Sequence, residues 1–289
     1  MNAKWPILLL VAACLSLGAC NRVGLAYDNL DLLIPWTLND YLDLDSSQQS
    51  WLEPRLQRHL GWHCSEELPV YANWLDNNQA LLDQPDSELL NSQLGQVEQA
   101  IQRISREITP STVALLQKLD DTQVDKLFAR LDETNQELHE EYLQPSLPQQ
   151  ISQRSDRLAE RTEEWLGPLN SRQHARIEQW SQQLGEQNRI WLDNRLAVQR
   201  AWRSALQQRQ SPEFSEQVSK LLQQPELFYS EEYRQHYPGA RQALTALFGD
   251  LLASAEPQQV ERAQKQLAGL QQQLVAVSCS QPTQMAARN

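Results

Sequence analysis

SRQHARIEQWSQQLGEQNRIWLDNRLAVQRAWRSALQQR, residues 171–209, decides the fold class. It contains no proline, and Ile177, Leu184, Trp191, Val198 and Ala205 recur every seven residues. Trp180 and Ala201 fill the offset seam, whereas Gln187 and Asn194 interrupt it with polar side chains. Such a recurrence keeps apolar side chains on one face of an α-helix, while a strand needs a period of two. The stretch therefore predicts a single helix of roughly 55 Å at 1.5 Å per residue. Its narrow stripe is expected to pack against neighbouring helices of the same chain.

The start of this helix sets a pattern that recurs elsewhere. Leu169-Asn170-Ser171-Arg172-Gln173 has counterparts in Leu44-Asp45-Ser46-Ser47-Gln48 and Leu119-Asp120-Asp121-Thr122-Gln123. Each reads as a capping box: the Asp or Asn accepts from an orphan backbone N–H, and the Gln three residues on reaches back to the cap. Ile108-Thr109-Pro110 and Ser211-Pro212-Glu213 place a proline where a first helical residue is expected. Helices are predicted at about 46–60, 65–82, 86–107, 111–141 with a break near 120, 146–166, 171–209, 212–223, 240–253 and 257–277. The three caps have no common period, which argues against a regular solenoid. The fold class is all-α, an elongated multi-helix bundle with one long central helix at about 171–209.

Composition agrees with that class. The chain has 289 residues, only nine glycines and a formal charge of −12. Leu, Gln, Glu, Ala and Arg, all good helix formers, dominate over β-branched residues. The acidic balance excludes nucleic acid as a partner, since phosphate binding needs concentrated Lys and Arg. The N-terminus is a different kind of segment. Lys4 precedes an uncharged apolar run from Trp5 to Leu17, too short to span a bilayer. The run ends in Leu17-Gly18-Ala19-Cys20, which resembles the bacterial lipobox. That resemblance implies a lipoprotein signal peptide over 1–19 and lipid on Cys20. Asn21, in place of the Asp usual for inner-membrane retention, implies the periplasmic face of the outer membrane. The expected organisation is a lipidated N-terminus and short tether over 20–29, a helical domain over 30–279 and a disordered tail over 280–289. The apolar segment LAYDNLDLLIPWTLNDYLDLD, residues 25–45, is expected to plug the core, with membrane contact as its alternative.

Cys14 leaves with the signal and Cys20 carries lipid, so Cys64 and Cys279 remain as an even pair in an oxidising compartment. A disulfide between them is expected. The alternative is a zinc site built from His59, His63, Cys64 and Glu67, because two histidines at i and i+4 share a helical face beside a thiol and a carboxylate. Gly61 lies between those histidines and is expected to end the helix there. No Gly-rich phosphate loop, Gly-x-Ser-x-Gly elbow or HExxH occurs, so no catalytic residue or cofactor is assigned. Tyr229, Tyr233 and Tyr237 recur every four residues, and with Trp180, Trp191 and Trp202 they form the candidate binding surface. Leu68, Tyr71 and Trp74 are further candidates for lining a core or groove.

The Leu-x-x-x-Gln boxes resemble the Leu-Thr-x-x-Gln motif of small Spy/CpxP-type periplasmic helical proteins, with Thr replaced by Asp or Asn. The lipobox, the LAYDNLDLLIPW and DYLDLDSSQ segment, and Trp62-His63-Cys64-Ser65-Glu66-Glu67-Leu68-Pro69-Val70-Tyr71 resemble a family of uncharacterised proteobacterial lipoproteins, defined as a domain of unknown function. That resemblance implies a helical lipoprotein and no particular activity. The expected role is binding, either chaperone-like or as a scaffold for another envelope protein. A metalloprotein and a structural envelope spacer are the alternatives.

Overall fold

Each predicted capping box forms, and the boxes organise the fold in pairs. The structure, a computed structural model, describes residues 22–27, 29–82 and 87–279. The expected signal peptide over 1–19, the lipidation site expected at Cys20 and the tail expected over 280–289 lie outside the described residues. The chain is helical throughout its described length, with no strand among those residues. The helices are α1 (Arg22–Tyr27), α2 (Leu30–Leu42), α3 (Ser46–Trp62), α4 (Leu68–Asn77), α5 (Ser87–Leu116), α6 (Asp121–Leu143), α7 (Leu147–Leu166), α8 (Ser171–Leu184), α9 (Gln187–Gln207), α10 (Phe214–Gln223), α11 (Glu231–Ala253) and α12 (Pro257–Ala276). A π-helical turn, His63–Glu67, joins α3 to α4, and 3-10 turns occupy Gln79–Leu82 and Pro225–Phe228. The region expected as a tether thus contains α1.

Asp45, Asp120 and Asn170 cap α3, α6 and α8, with Gln48, Gln123 and Gln173 reaching back to the cap backbone. Glu256 and Gln259 form a further box at α12. The far side of each glutamine amide makes a second connection. Gln48 Nε2 donates to Gln123 Oε1 at 2.9 Å, and Gln123 Nε2 donates back to Gln48 Oε1 at 2.7 Å. Gln173 and Gln259 do the same at 3.0 and 3.1 Å. The remaining amide hydrogens go to carbonyls across each junction: Gln48 to Lys118, Gln123 to Asp43, and Gln259 to Pro168. Two helix starts are thereby clasped to each other by a buried, satisfied amide pair, which is why glutamine is tolerated in the interior.

A hydrophobic core accompanies each clasp. Leu44 and Leu119, the residues before two of the caps, lie in the first core with Phe128, Leu206, Phe214 and Val218. Ile177, Trp180, Leu184, Leu247 and Leu251 form the second, and Leu169 packs against it. The leucine of the sequence pattern is therefore a staple that fixes the entry of the chain into each helix. α5 bridges the two cores, packing on α11 near its start and on α10 near its end, while α12 runs back along α7 and α4.

The single helix expected over 171–209 is two helices. Gly185 turns the chain with φ 49° and ψ −119°, a backbone region that only glycine enters without strain. The carbonyls freed by the break are taken by a buried arginine. Arg154, on α7, donates to the Ser181 carbonyl at 3.1 Å and to that of Gly185 at 2.9 Å. Its second nitrogen also reaches Asn188 Oδ1 at 3.3 Å. Two expected punctuation marks are absent: α3 continues through Gly61 and α5 through Pro110. The helix expected from 240 starts earlier, at Glu231, and runs through Pro238. An internal proline removes one helical donor, and tertiary packing outweighs that loss in α5 and α11, as it does at Pro35 of α2 and Pro54 of α3.

Candidate functional site

Two surfaces gather the residue types that the sequence singles out. The first is the corner at the π turn. Pi turns inserted in helices occur often at functional sites, and this one positions His63, Cys64 and Glu67. Cys64 is buried and bridged to Cys279, with the Cα atoms 5.5 Å apart, so the last helix is stapled to this corner. Glu67, 3% exposed, receives two hydrogen bonds from Arg103 of α5, at 2.7 and 2.9 Å. The hydrogen-bonded Arg103 guanidinium holds the Glu67 carboxyl below the usual carboxylate range. His63 packs between Tyr27, with ring centroids 5.9 Å apart, and Tyr71, at 5.6 Å. Burial lowers the pKa of His63, and the Glu67 charge acts in the opposite direction. Burial pushes the Tyr27 and Tyr71 hydroxyls up to about 12. The Tyr27 hydroxyl lies 3.1 Å from both the Leu60 carbonyl, to which it donates, and His63 Nδ1. His59 has its ring nitrogens 3.0 Å from Glu107 and 2.8 Å from Ser111.

The four residues of the zinc alternative therefore have four different commitments. His59 faces α5, His63 faces α1, Cys64 is oxidised to a disulfide and Glu67 is neutralised by Arg103. Among the described residues, no group of three or more His, Cys, Asp or Glu side chains is placed to hold a metal ion.

The second surface is a tyrosine ladder. Tyr229 and Tyr233 meet edge to face at 5.0 Å, and Tyr233 stacks on Tyr237 at 5.6 Å. Ser230 caps α11 by accepting from the Tyr233 N–H at 3.2 Å, while its own N–H is taken by Asn194 of α9 at 2.9 Å. The Tyr237 hydroxyl donates to Glu98 of α5 at 3.2 Å. Arg241 also pairs with Glu98 and donates to Asn91 Oδ1 at 2.9 Å. Burial raises the pKa of Tyr229 and Tyr233. On the segments that carry this frame, Val97, Ile101 and Leu227 are exposed, as is Tyr237 itself.

The tryptophans assigned to the same surface are placed elsewhere. Trp180 is a buried member of the second core, and Trp202 packs on the first. Trp191 is half-buried and meets Tyr142 edge to face at 5.9 Å. Leu68 is buried, and Trp74 is half-buried, donating to Gln93 at 2.7 Å. Tyr27, Glu98, Arg103 and Arg241 were not singled out from the sequence, and their partners lie 33 to 150 residues away. Nor were Val97 and Ile101. Leu90, Leu94, Val97 and Ile101 repeat at 4, 3 and 4 residues, a helical stripe that could have identified this face of α5.

No curated protein and no solved structure matches the chain. The model of a family of unknown function, DUF6279, matches residues 40–234, from the end of α2 into α11. That span includes the clasped caps of α3 and α6, the π-turn corner and the beginning of the tyrosine ladder. On this match over most of its length, the protein belongs to the DUF6279 family.

Proposed function

We propose that this protein is a lipid-anchored envelope protein that works by binding another protein through the tyrosine-ladder face. The observation that carries the binding role is the set of apolar side chains left exposed on the segments that carry that ladder and its Glu98 partner. Val97 and Ile101 lie on α5, one on each side of Glu98 in sequence, and Leu227 precedes Tyr229 by two residues. Clustered apolar exposure is characteristic of interaction sites. Tyrosines supply large contact areas with little rotamer entropy to lose, and here packing and hydrogen bonds already order them. The corner at Cys64 supports a structural role, because each of its polar groups serves another part of the fold.

The lipobox-like Leu17-Gly18-Ala19-Cys20 supports the anchor on Cys20, and Asn21 supports the outer membrane. The Cys64–Cys279 bridge supports an oxidising compartment, the periplasm. The client class that fits is an unfolded or helical segment of another envelope protein.

Photo-crosslinking in cells tests the binding face. Benzoylphenylalanine at Ile101 or Leu227 is expected to give discrete adducts, and the same probe at exposed Gln182 on α8 is expected to give none. Equal yields at the three positions would sink the assignment.

A further inference from the structure

The apolar side chains of α2 divide between two destinations. Leu38, Tyr41 and Leu42 pack into the first core. Leu32 and Trp36 are 67% and 55% exposed, and Leu33 is exposed beside them. At 100° per residue these three share the face opposite Leu38. One turn further on, the same side of the helix continues as exposed Asn39 and Asp40, and Asp40 pairs with Arg130 at 3.3 Å. The outer side of α2 is therefore apolar over its first half and polar over its second. A helix side turned only to water has no reason to change character along its length.

The chain before α2 shows which end lies nearer lipid. α1 begins at Arg22 and is docked on the body, packing on α12 and holding the Leu60 carbonyl through Tyr27. Only Asn21 separates Cys20 from α1. An extended backbone then lets Cys20 stand no more than about 7 Å from the start of α1. Two residues, Asp28 and Asn29, separate α1 from α2. A lipidated Cys20 thus holds the body against the headgroups and brings the apolar half of α2 close to them.

We infer that Leu32, Leu33 and Trp36 form a bilayer seat, entering the headgroup–acyl boundary of the leaflet that carries the Cys20 lipid. The inference rests on the lipid anchor of the reading above and adds a fixed orientation to it. Tryptophan suits this depth, with an apolar ring and an N–H for the headgroups. The three residues include no Lys or Arg, so the contact depends on apolar burial and is insensitive to salt. The polar half of α2 then points away from the leaflet.

Tryptophan fluorescence of the full-length lipidated protein provides the test. The protein is reconstituted in phosphatidylethanolamine–phosphatidylglycerol vesicles with a fraction of lipid brominated high on the acyl chain. The expected result is partial quenching at low and high salt, with the quenched fraction lost in Trp36→Phe. Equal quenching of the two proteins, both still vesicle-bound, would overturn the seat and leave the anchor standing. Self-association that protects Trp36 and is lost in Leu33→Asp would overturn it too, giving the face to a second copy. An N-terminal peptide without lipid on Cys20 would overturn anchor and seat together.

Discussion

Replacing Gln173 by alanine removes one half of the second glutamine clasp, and its cost follows from the bonds lost. Gln173 is fully buried. Its Oε1 accepts from the Asn170 N–H at 3.0 Å and from Gln259 Nε2 at 3.1 Å. Its Nε2 donates to Gln259 Oε1 at 3.0 Å, with a long contact to the Leu251 carbonyl at 3.4 Å. At about 1 kcal/mol for each of three good bonds, the variant loses about 3 kcal/mol. For a chain of this size that lowers Tm by roughly 6–12 °C. Gln259→Ala is expected to cost a similar amount. The double variant should cost about 1–2 kcal/mol less than the two added together, because each single change strands atoms of the other amide. Urea denaturation of the Cys20→Ser chain measures all three values. Gln182→Ala, at an exposed position where the amide reaches only Glu178, serves as a control within about 0.5 kcal/mol of the parent. Additive effects, or a Gln173→Ala cost no larger than that control, would refute the clasp as an organising element.

Other expectations follow from the same contacts. Cys64→Ser with Cys279→Ser opens a closure spanning 215 residues and lowers stability by up to about 5 kcal/mol. Hydrogen exchange should then rise first in α12, and unchanged protection there would contradict the staple. Glu67→Gln removes the Arg103 pair and costs about 2 kcal/mol, moderated because Arg103 is partly exposed. The folded-state pKa of Glu67 is lowered, so the pair's contribution is complete above the unfolded carboxyl pKa of about 4.3. It is lost as pH falls through the lower folded value, and a stability–pH titration should show that loss weakened in Glu67→Gln. Gly185→Ala forces a side chain into a glycine-only backbone region and is expected to cost about 1–3 kcal/mol by thermal unfolding. A neutral substitution there would refute the strained break between α8 and α9.

Local signals in this chain were legible, whereas the long-range ones were not, apart from the cysteine pair. Each Leu-x-x-x-Gln box announced a helix start, because capping needs only residues three apart. That Gln48 meets Gln123, and Gln173 meets Gln259, depends on tertiary pairing that spacing does not encode. Gly185 was the one local mark of the break, and it sat inside an apolar period with no proline beside it, so the period outweighed it. What stabilises it is Arg154, 31 residues earlier. Gly61, Pro110 and Pro238 show the reverse: local breakers overridden by helices with enough packing on their neighbours. The Cys64–Cys279 pair was legible from cysteine arithmetic. The tyrosine ladder was legible from its four-residue spacing, whereas its frame of Glu98 and Arg241 comes from separate helices. The tryptophans were misassigned because aromatic content alone does not distinguish a core from a surface. Leu32, Leu33 and Trp36 belong to a segment read mainly as core, and only its second half is core.

The orientation of the body and the compartment in which the tyrosine face would meet its partner both depend on Cys20. The mass of the N-terminal peptide of the mature protein, purified from membranes, tests that claim most directly. The expected result is a chain beginning at Cys20 and carrying diacylglycerol and an amide-linked acyl chain, with both absent from Cys20→Ser. An unmodified Cys20, or a mature N-terminus at another residue, would contradict it.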